Sequence, residues 1–253
     1  MKKTVWISAF DKDETTSKAI FTALHKYGLD VKGHFWPEYD KNKGWELPTE
    51  ELKKADAWVI LIAPAAFENE HNRFSLNLAL MQIRQLKGDT FPVFISGIDH
   101  SLVADNLTYL SACEYTSSAV LGVKLLAATA KVLPVIEAEY RLNCHAIMGV
   151  GTWFEVGPES HDWEGAMIAL SGAEIDAHGV GPSGKLPQKA ILSYPYKGMK
   201  LEVDGIEFIG WGVENTLAAG ESYYIRIKGI PESILFGESP IKNENAELYR
   251  CYF

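Results

Sequence analysis

Cysteine is scarce and scattered. Cys113, Cys144 and Cys251 are the only three, with no CxxC pair, which excludes a disulfide-stapled framework and a structural zinc module. Free thiols in a reducing compartment are expected, and with them a cytoplasmic location. Long apolar runs are also missing. The best of them, Ala57 to Ala66, falls far short of a membrane span, so no membrane partner is expected. The opening MKKTVWISAF runs into Asp11, Lys12, Asp13 and Glu14 without a small-residue cleavage site, and reads as a first strand instead of a signal peptide. Positive charge is short too. The net charge is -9, and it is uneven: residues 1–135 carry -1 and residues 136–253 carry -8. With no Lys/Arg stripe, nucleic acid is not an expected partner. What is present suits a folded protein: 47% hydrophobic and 23% charged residues over 253 positions allow one large or two small domains.

Patterning changes near residue 135. Before it, short apolar runs alternate with helical stretches. Strands are expected at Thr4 to Phe10, Val31 to Trp36, Ala57 to Ala63 and Phe91 to Ile98, and helices at Thr15 to Tyr27, Thr49 to Lys54, Asn72 to Lys87 and Ser117 to Val132. Alternation of this kind gives crossover units and a parallel sheet. A five-stranded, flavodoxin-like α/β domain flanked by helices is therefore expected over 1–135. After the Leu133-Pro134 step the helical period is lost. Strands are expected at Tyr140 to Val150, Trp153 to Val156, Ala166 to Leu170, Lys189 to Tyr194, Lys200 to Val203, Ile206 to Trp211, Tyr223 to Ile227 and Leu248 to Phe253. Eight short strands predict an acidic β-rich sandwich or barrel over 136–253, with Asp204-Gly205 as its best hairpin turn.

In an open parallel sheet the ligand crevice lies at the carboxyl ends of the strands. The third strand ends Ile62-Ala63-Pro64, without the Asp of a phosphoacceptor domain, and the turn Ala9 to Asp13 lacks the Ser/Thr/Gly run of a flavodoxin phosphate loop. The first 135 residues instead resemble a Toll/interleukin-1 receptor (TIR) domain. Ser8, Phe10 and Asp11 in VWISAFDKDE, the stretch ADAWVILIAPAAFENEHNRFSLNLAL with Pro64 and Phe67 in its turn, and FPVFISGI carry the likeness. The resemblance implies a signalling or defence role, with a module that binds a nucleotide-like ligand or assembles with other TIR modules. The β-rich half would then sense or regulate. No cofactor is required by this reading; NAD or another nucleotide enters as ligand or substrate.

Enzymatic members cleave NAD at the nicotinamide-ribose bond with a Glu in a WCxxE-like stretch. Here that stretch is Arg73-Phe74-Ser75-Leu76-Asn77, so Asn77 stands where the Glu is expected, and an amide lacks the charge that stabilises a developing oxocarbenium. Glu68 and Glu70 are the displaced candidates for an NAD glycohydrolase or cyclase; a non-catalytic protein-interaction module is a further alternative. The implied ligand-binding set is Ser8, Phe10, Asp11, Trp36, Trp45, Phe67 and Asn77. The loop from Trp36 to Trp45, with Gly44, is the expected self-association segment of a homo-oligomer.

Other patterns have plainer readings. Gly179 to Lys185 matches GxxxxGK, but Leu186 replaces Ser/Thr and Pro187 follows in place of a helix, so a glycine loop is expected. Ser160-His161-Asp162 are adjacent and cannot converge as a triad. His145, His161 and His178, with Cys144 nearby, lack close ligand spacing, and no metal site is expected. Of seven tryptophans, Trp6 and Trp58 are expected in the core, while Trp36, Trp45, Trp153, Trp163 and Trp211 fall at strand ends or turns, where a ring can stack on a base or partner.

Overall fold

Trp58, Val59 and Ile60 have no solvent exposure, because β3 (Ala57–Leu61) lies in the middle of a sheet covered on both faces. The computed structural model describes residues 2–10, 13–37, 48–88, 90–98, 113–114, 117–131, 138–188 and 191–253. The chain divides into two units, the first ending at residue 136 and the second beginning with residue 137 apart from a short stretch. The Leu133-Pro134 step itself lies outside the described residues.

In the first unit, β1 (Thr4–Ala9), β2 (Asp30–Phe35), β3 and β4 (Val93–Ser96) pair in parallel in the order β2-β1-β3-β4. The fifth strand is reduced to a two-residue β5, Cys113–Glu114, beside β4, so the expected five-stranded sheet is four full strands and a short edge piece. This order is flavodoxin-like. Helix α1 (Glu14–Lys26) starts where Asp13 caps it and buries Ile20 and Leu24, one turn apart. With α5 (Ser118–Thr129) it covers the face made by Val5, Ile7, Val31 and Val59. The opposite face, with Trp36, Trp58 and Ile60, packs beneath Leu52 of α2 (Thr49–Lys54) and Leu76, Leu80 and Ile83 of α4 (Glu70–Lys87). Helix α4 begins two residues before the expected start, where Asn69 accepts the amides of His71 and Asn72 at 2.9 and 3.3 Å. A one-turn α3 (Pro64–Glu68), not expected from the sequence, precedes it and buries Phe67.

The second unit is all antiparallel. A four-stranded sheet orders β6 (Tyr140–Ile147), β7 (Gly151–Pro158), β12 (Glu221–Lys228) and β9 (Glu174–Pro182). A five-stranded sheet orders β10 (Tyr196–Val203), β11 (Ile206–Leu217), β8 (Trp163–Ser171), β13 (Ser233–Glu238) and β14 (Leu248–Tyr252). Ring pairs such as Phe154 with Phe253 and Tyr140 with Phe236 join them, which makes a sandwich. Asp204 and Gly205 both have positive φ, 52° and 76°, as a two-residue hairpin turn requires. Strands β9 and β13 were not expected. The expected strand at Lys189 to Tyr194 is contradicted: residues 191–194 are irregular, Ile191 is 84% exposed and Tyr194 sits at φ 43°. The far face of β8, with Met167 and Ala169, is buried as well, against Phe208, Leu235 and side chains of β10 and β14. Among the described residues no helix is long and apolar enough to cross a membrane.

Candidate functional site

The strand order of the parallel sheet reverses between β1 and β3, and a cavity of about 210 Å³ opens there at their carboxyl ends. Ala9, Leu61, Pro64 and Gly97 form its apolar lining, and Asp13, Thr16, Ser17 and Ser96 supply its polar groups. Gly97 has φ 99°, and a Cβ there would lie 2.2 Å from the Ile62 carbonyl oxygen, so the backbone shapes the floor. Asp13 decides the chemistry. Its Oδ1 accepts the Thr15 and Thr16 amides, both at 3.0 Å, and its Oδ2 accepts the Thr16 hydroxyl at 2.6 Å. The Thr16 hydroxyl and amide hold this carboxyl below the usual Asp range. Bare helix amides that would bind phosphate are thus already capped by a carboxylate, and the crevice favours a neutral or cationic group over an anion.

Of the expected ligand residues that are described, none lines this crevice and most lie in the core. Ser8 is fully buried, and Trp36, Phe67 and Asn77 are at most 8% exposed. The Trp36 ring is stacked with Phe10 (centroids 4.3 Å apart) and Trp58 (6.4 Å), and its Nε1 donates to Ser75 Oγ at 3.0 Å. A ring so enclosed packs the sheet and offers no free face to a base. Ser8 Oγ accepts Trp58 Nε1 at 3.0 Å and lies 3.0 Å from His34 Nε2. The indole can only donate, whereas the serine oxygen can both donate and accept, so the direction of the Ser8–His34 bond follows the imidazole tautomer. Burial holds the His34 pKa below its ordinary value. This Ser-His contact looks like a nucleophile and base, but a fully buried serine meets no substrate.

Asn77 belongs to the buried stretch Phe74–Ile83 of α4, and its Oδ1 is buried with no hydrogen-bond partner among the described residues. Glu68 and Glu70 are exposed, at the end of α3 and the first residue of α4. Asp11, Gly44 and Trp45 lie outside the described residues.

In the sandwich, the expectations about histidines resolve separately. His145 Nε2 lies 2.5 Å from Glu155, His178 Nδ1 2.8 Å from the Tyr223 hydroxyl, and His161 Nδ1 3.1 Å from Ser160 Oγ in an exposed turn. Cys144 alternates to the opposite face from His145, and burial pushes its thiol up to about 12. Among the described residues no group of three or more His, Cys, Asp or Glu side chains gathers to hold a metal. Trp163, expected at a strand end, is 1% exposed.

Like Asp13, Glu155 was not singled out as a site residue by sequence reasoning. It lies on β7 between buried Phe154 and Val156 and is itself fully buried. Its carboxylate accepts Ser222 Oγ at 2.7 Å, the Gly184 amide at 2.8 Å and Asn143 Nδ2 at 3.3 Å, with Arg141 Nε at 3.3 Å. Burial works to raise its pKa, but the bonds from His145, Gly184 and Ser222 outweigh that and set it at about 2. The GxxxxGK loop is thereby tied down: Gly184 donates to Glu155, Lys185 N to the Tyr224 hydroxyl at 3.2 Å, and that hydroxyl donates to the Pro182 carbonyl. The one signal in the sequence was an acid inside an otherwise apolar strand.

Fold and sites together define a flavodoxin-like α/β unit followed by an antiparallel β-sandwich. No protein-family model matches the chain, and no curated protein does. Among solved structures, a diflavin flavoprotein A3 from Nostoc sp. is similar over 51% of this chain and 90% of its own, with 13% identity and a TM-score of 0.34. The apo form of translation elongation factor SelB from Methanococcus maripaludis is similar over 99% of this chain and 79% of its own, with 9% identity and a TM-score of 0.33. Likenesses this weak carry no argument about activity.

Proposed function

We propose that the chain is a TIR-like signalling protein whose first unit recognises a nucleotide-like ligand without cleaving it, and whose acidic sandwich senses or regulates. The burial of Asn77 carries this reading: at the position where the resemblance puts the acid of NAD-cleaving TIR domains, the side chain is neutral and buried within the stretch Phe74–Ile83 of α4. A transition state with positive charge on the ribose would find no carboxylate there. The crevice between β1 and β3 supports recognition, and Asp13 supports a neutral or cationic ring as the part that enters it. A nicotinamide or adenine ring has that character, with the phosphates left toward solvent.

The test is incubation of the purified protein with NAD, read both by chromatography and by thermal shift. NAD is expected to raise the melting temperature and to be recovered intact, and Asp13→Asn, which keeps the helix cap, is expected to abolish the shift. Release of nicotinamide at enzyme turnover overturns the non-catalytic reading. Absence of any shift with NAD, adenosine or nicotinamide overturns the ligand reading.

A further inference from the structure

The outer edge of β2 has both hydrogen-bonding groups and apolar surface to spare. It is terminal in the strand order. Asp30 N donates to the Lys3 carbonyl at 2.8 Å and Trp36 N to the Ala9 carbonyl at 2.7 Å. A parallel ladder uses every second residue, so the amides and carbonyls of Val31, Gly33 and Phe35 point away from β1. Among the described residues no strand pairs with that side. Beside it, between α1 and β2, lies a cavity of about 290 Å³ whose lining includes Ile7, Ser17, Phe21 and Phe35. Phe21 is 37% and Phe35 41% exposed. A free edge next to exposed aromatic rings is a template for strand addition.

We propose that β2 pairs antiparallel with β2 of a second copy of this chain, about a two-fold axis at Gly33, so that one sheet continues through both copies. This goes beyond the ligand reading above and does not depend on it. The edge is self-complementary in this register. Val31 of each copy falls opposite Phe35 of the other and Gly33 opposite Gly33, which turns all the outward groups into about six hydrogen bonds. A shift by one residue would set these groups against amides already used by β1. On the other face Lys32 meets His34 of the second copy, and because the His34 ring is neutral no like charges are brought together. On the α1 face the two cavities become one space bounded by both Phe21 rings. Its lining also includes Glu14 and Lys18, already paired with each other, so they bring no net charge to the contact. A closed two-fold contact also leaves the outer edge of β2 covered in both copies.

Sedimentation velocity of the full chain at micromolar concentration should show a dimer. Phe21→Glu and Phe35→Pro should each weaken it by about tenfold or more. Proline at position 35 removes one outward amide and leaves the amides of His34 and Trp36 in the β1 ladder. Val123→Glu, on the 59% exposed position of α5, and Trp45→Ala should leave the dimer intact. Amide exchange gives a second readout independent of any substitution: the Val31, Gly33 and Phe35 amides should gain protection as protein concentration rises. A monomer at all concentrations overturns the proposal. So does a dimer that survives Phe21→Glu and Phe35→Pro, a dimer lost only with Trp45→Ala, or concentration-independent exchange at the three amides.

Discussion

Arg250 Nη1 donates to Asp204 at 2.9 Å, although β14 and the β10–β11 turn that hold them stand at opposite edges of a five-stranded sheet. Flat strands spaced about 4.8 Å apart would keep such edges far beyond the reach of one ion pair. The sheet therefore curls, and the curl explains why Met167 and Ala169 on its far face are buried. The guanidinium lies over the rings of Phe208 and Tyr252, at 5.3 and 4.1 Å, and its Nε and Nη2 are buried with no hydrogen-bond partner among the described residues.

Arg250 should thus matter through packing more than through charge. Arg250→Ala should lower stability by about 2 to 3 kcal/mol, whereas Arg250→Met should stay within about 1 kcal/mol of wild type. Asp204→Asn, at an 80% exposed side chain, should cost less than about 1 kcal/mol. Urea unfolding of the three variants checks the order, and an Asp204→Asn loss as large as that of Arg250→Ala would reverse the assignment.

Glu155 should set the acid limit of the sandwich. Its pKa is about 2 in the folded chain against an ordinary glutamate value of 4.5, so its stabilisation is complete above about pH 4.5 and is lost as pH falls toward 2. The difference corresponds to about 3 kcal/mol. Glu155→Gln should remove that pH dependence and lower neutral-pH stability by about 3 kcal/mol or more, because Arg141 loses its buried counter-charge. Chemical denaturation across pH 2 to 7 measures both effects.

Much of the fold could be read from the sequence wherever one periodicity dominated. Ile20 and Leu24 one turn apart marked α1, and the apolar run through Trp58 marked the central strand. The misreadings have local causes. Strand β9, EIDAHGVGP, has two glycines and few β-branched residues, and it is held by its pairing with Tyr223, Tyr224 and Ile225. The stretch Lys189 to Tyr194 has the composition of a strand, but among the described residues no ladder partner meets residues 191–194. The sites were harder, since they are assembled from distant parts of the chain. Glu155 draws its bonds from β6, β12 and the glycine loop, up to 67 residues away. Trp36 at a strand end gave no sign that Phe10 and Trp58 would enclose it.

Asn77→Glu should not install an active site. The new carboxylate would enter the buried stretch of α4 at a position where even the amide oxygen has no partner among the described residues, and a loss of about 3 kcal/mol or more is expected. Asn77→Leu, which removes the unpaired carbonyl at similar volume, should be neutral or stabilising by about 1 kcal/mol. Thermal melts distinguish the two, and a Glu variant as stable as wild type would show that position 77 reaches water.

His34 should carry an acid-sensitive contribution in the first unit. Burial lowers its folded pKa below the ordinary histidine value of 6.5, so the unfolded chain takes up the proton first. The contribution is therefore complete above about pH 6.5 and declines as pH falls toward the folded value. Nitrogen chemical shifts followed across pH 4 to 8 check this: the His34 ring should be neutral at pH 7 and titrate below an exposed imidazole, and titration at or above the ordinary value would reverse the assignment.

The glycine loop of the sandwich comes with its anion already installed. Any phosphate approaching Gly184 would compete with a carboxylate carried by the same chain, at an effective concentration of about millimolar or higher, and displacing it would strand Glu155 in a buried pocket with Arg141 and His145 still facing it. A pattern that elsewhere advertises nucleotide affinity acts here as a self-occupied receptor. The same residues that would recruit a phosphate instead fasten one strand connection to the sheet beneath it.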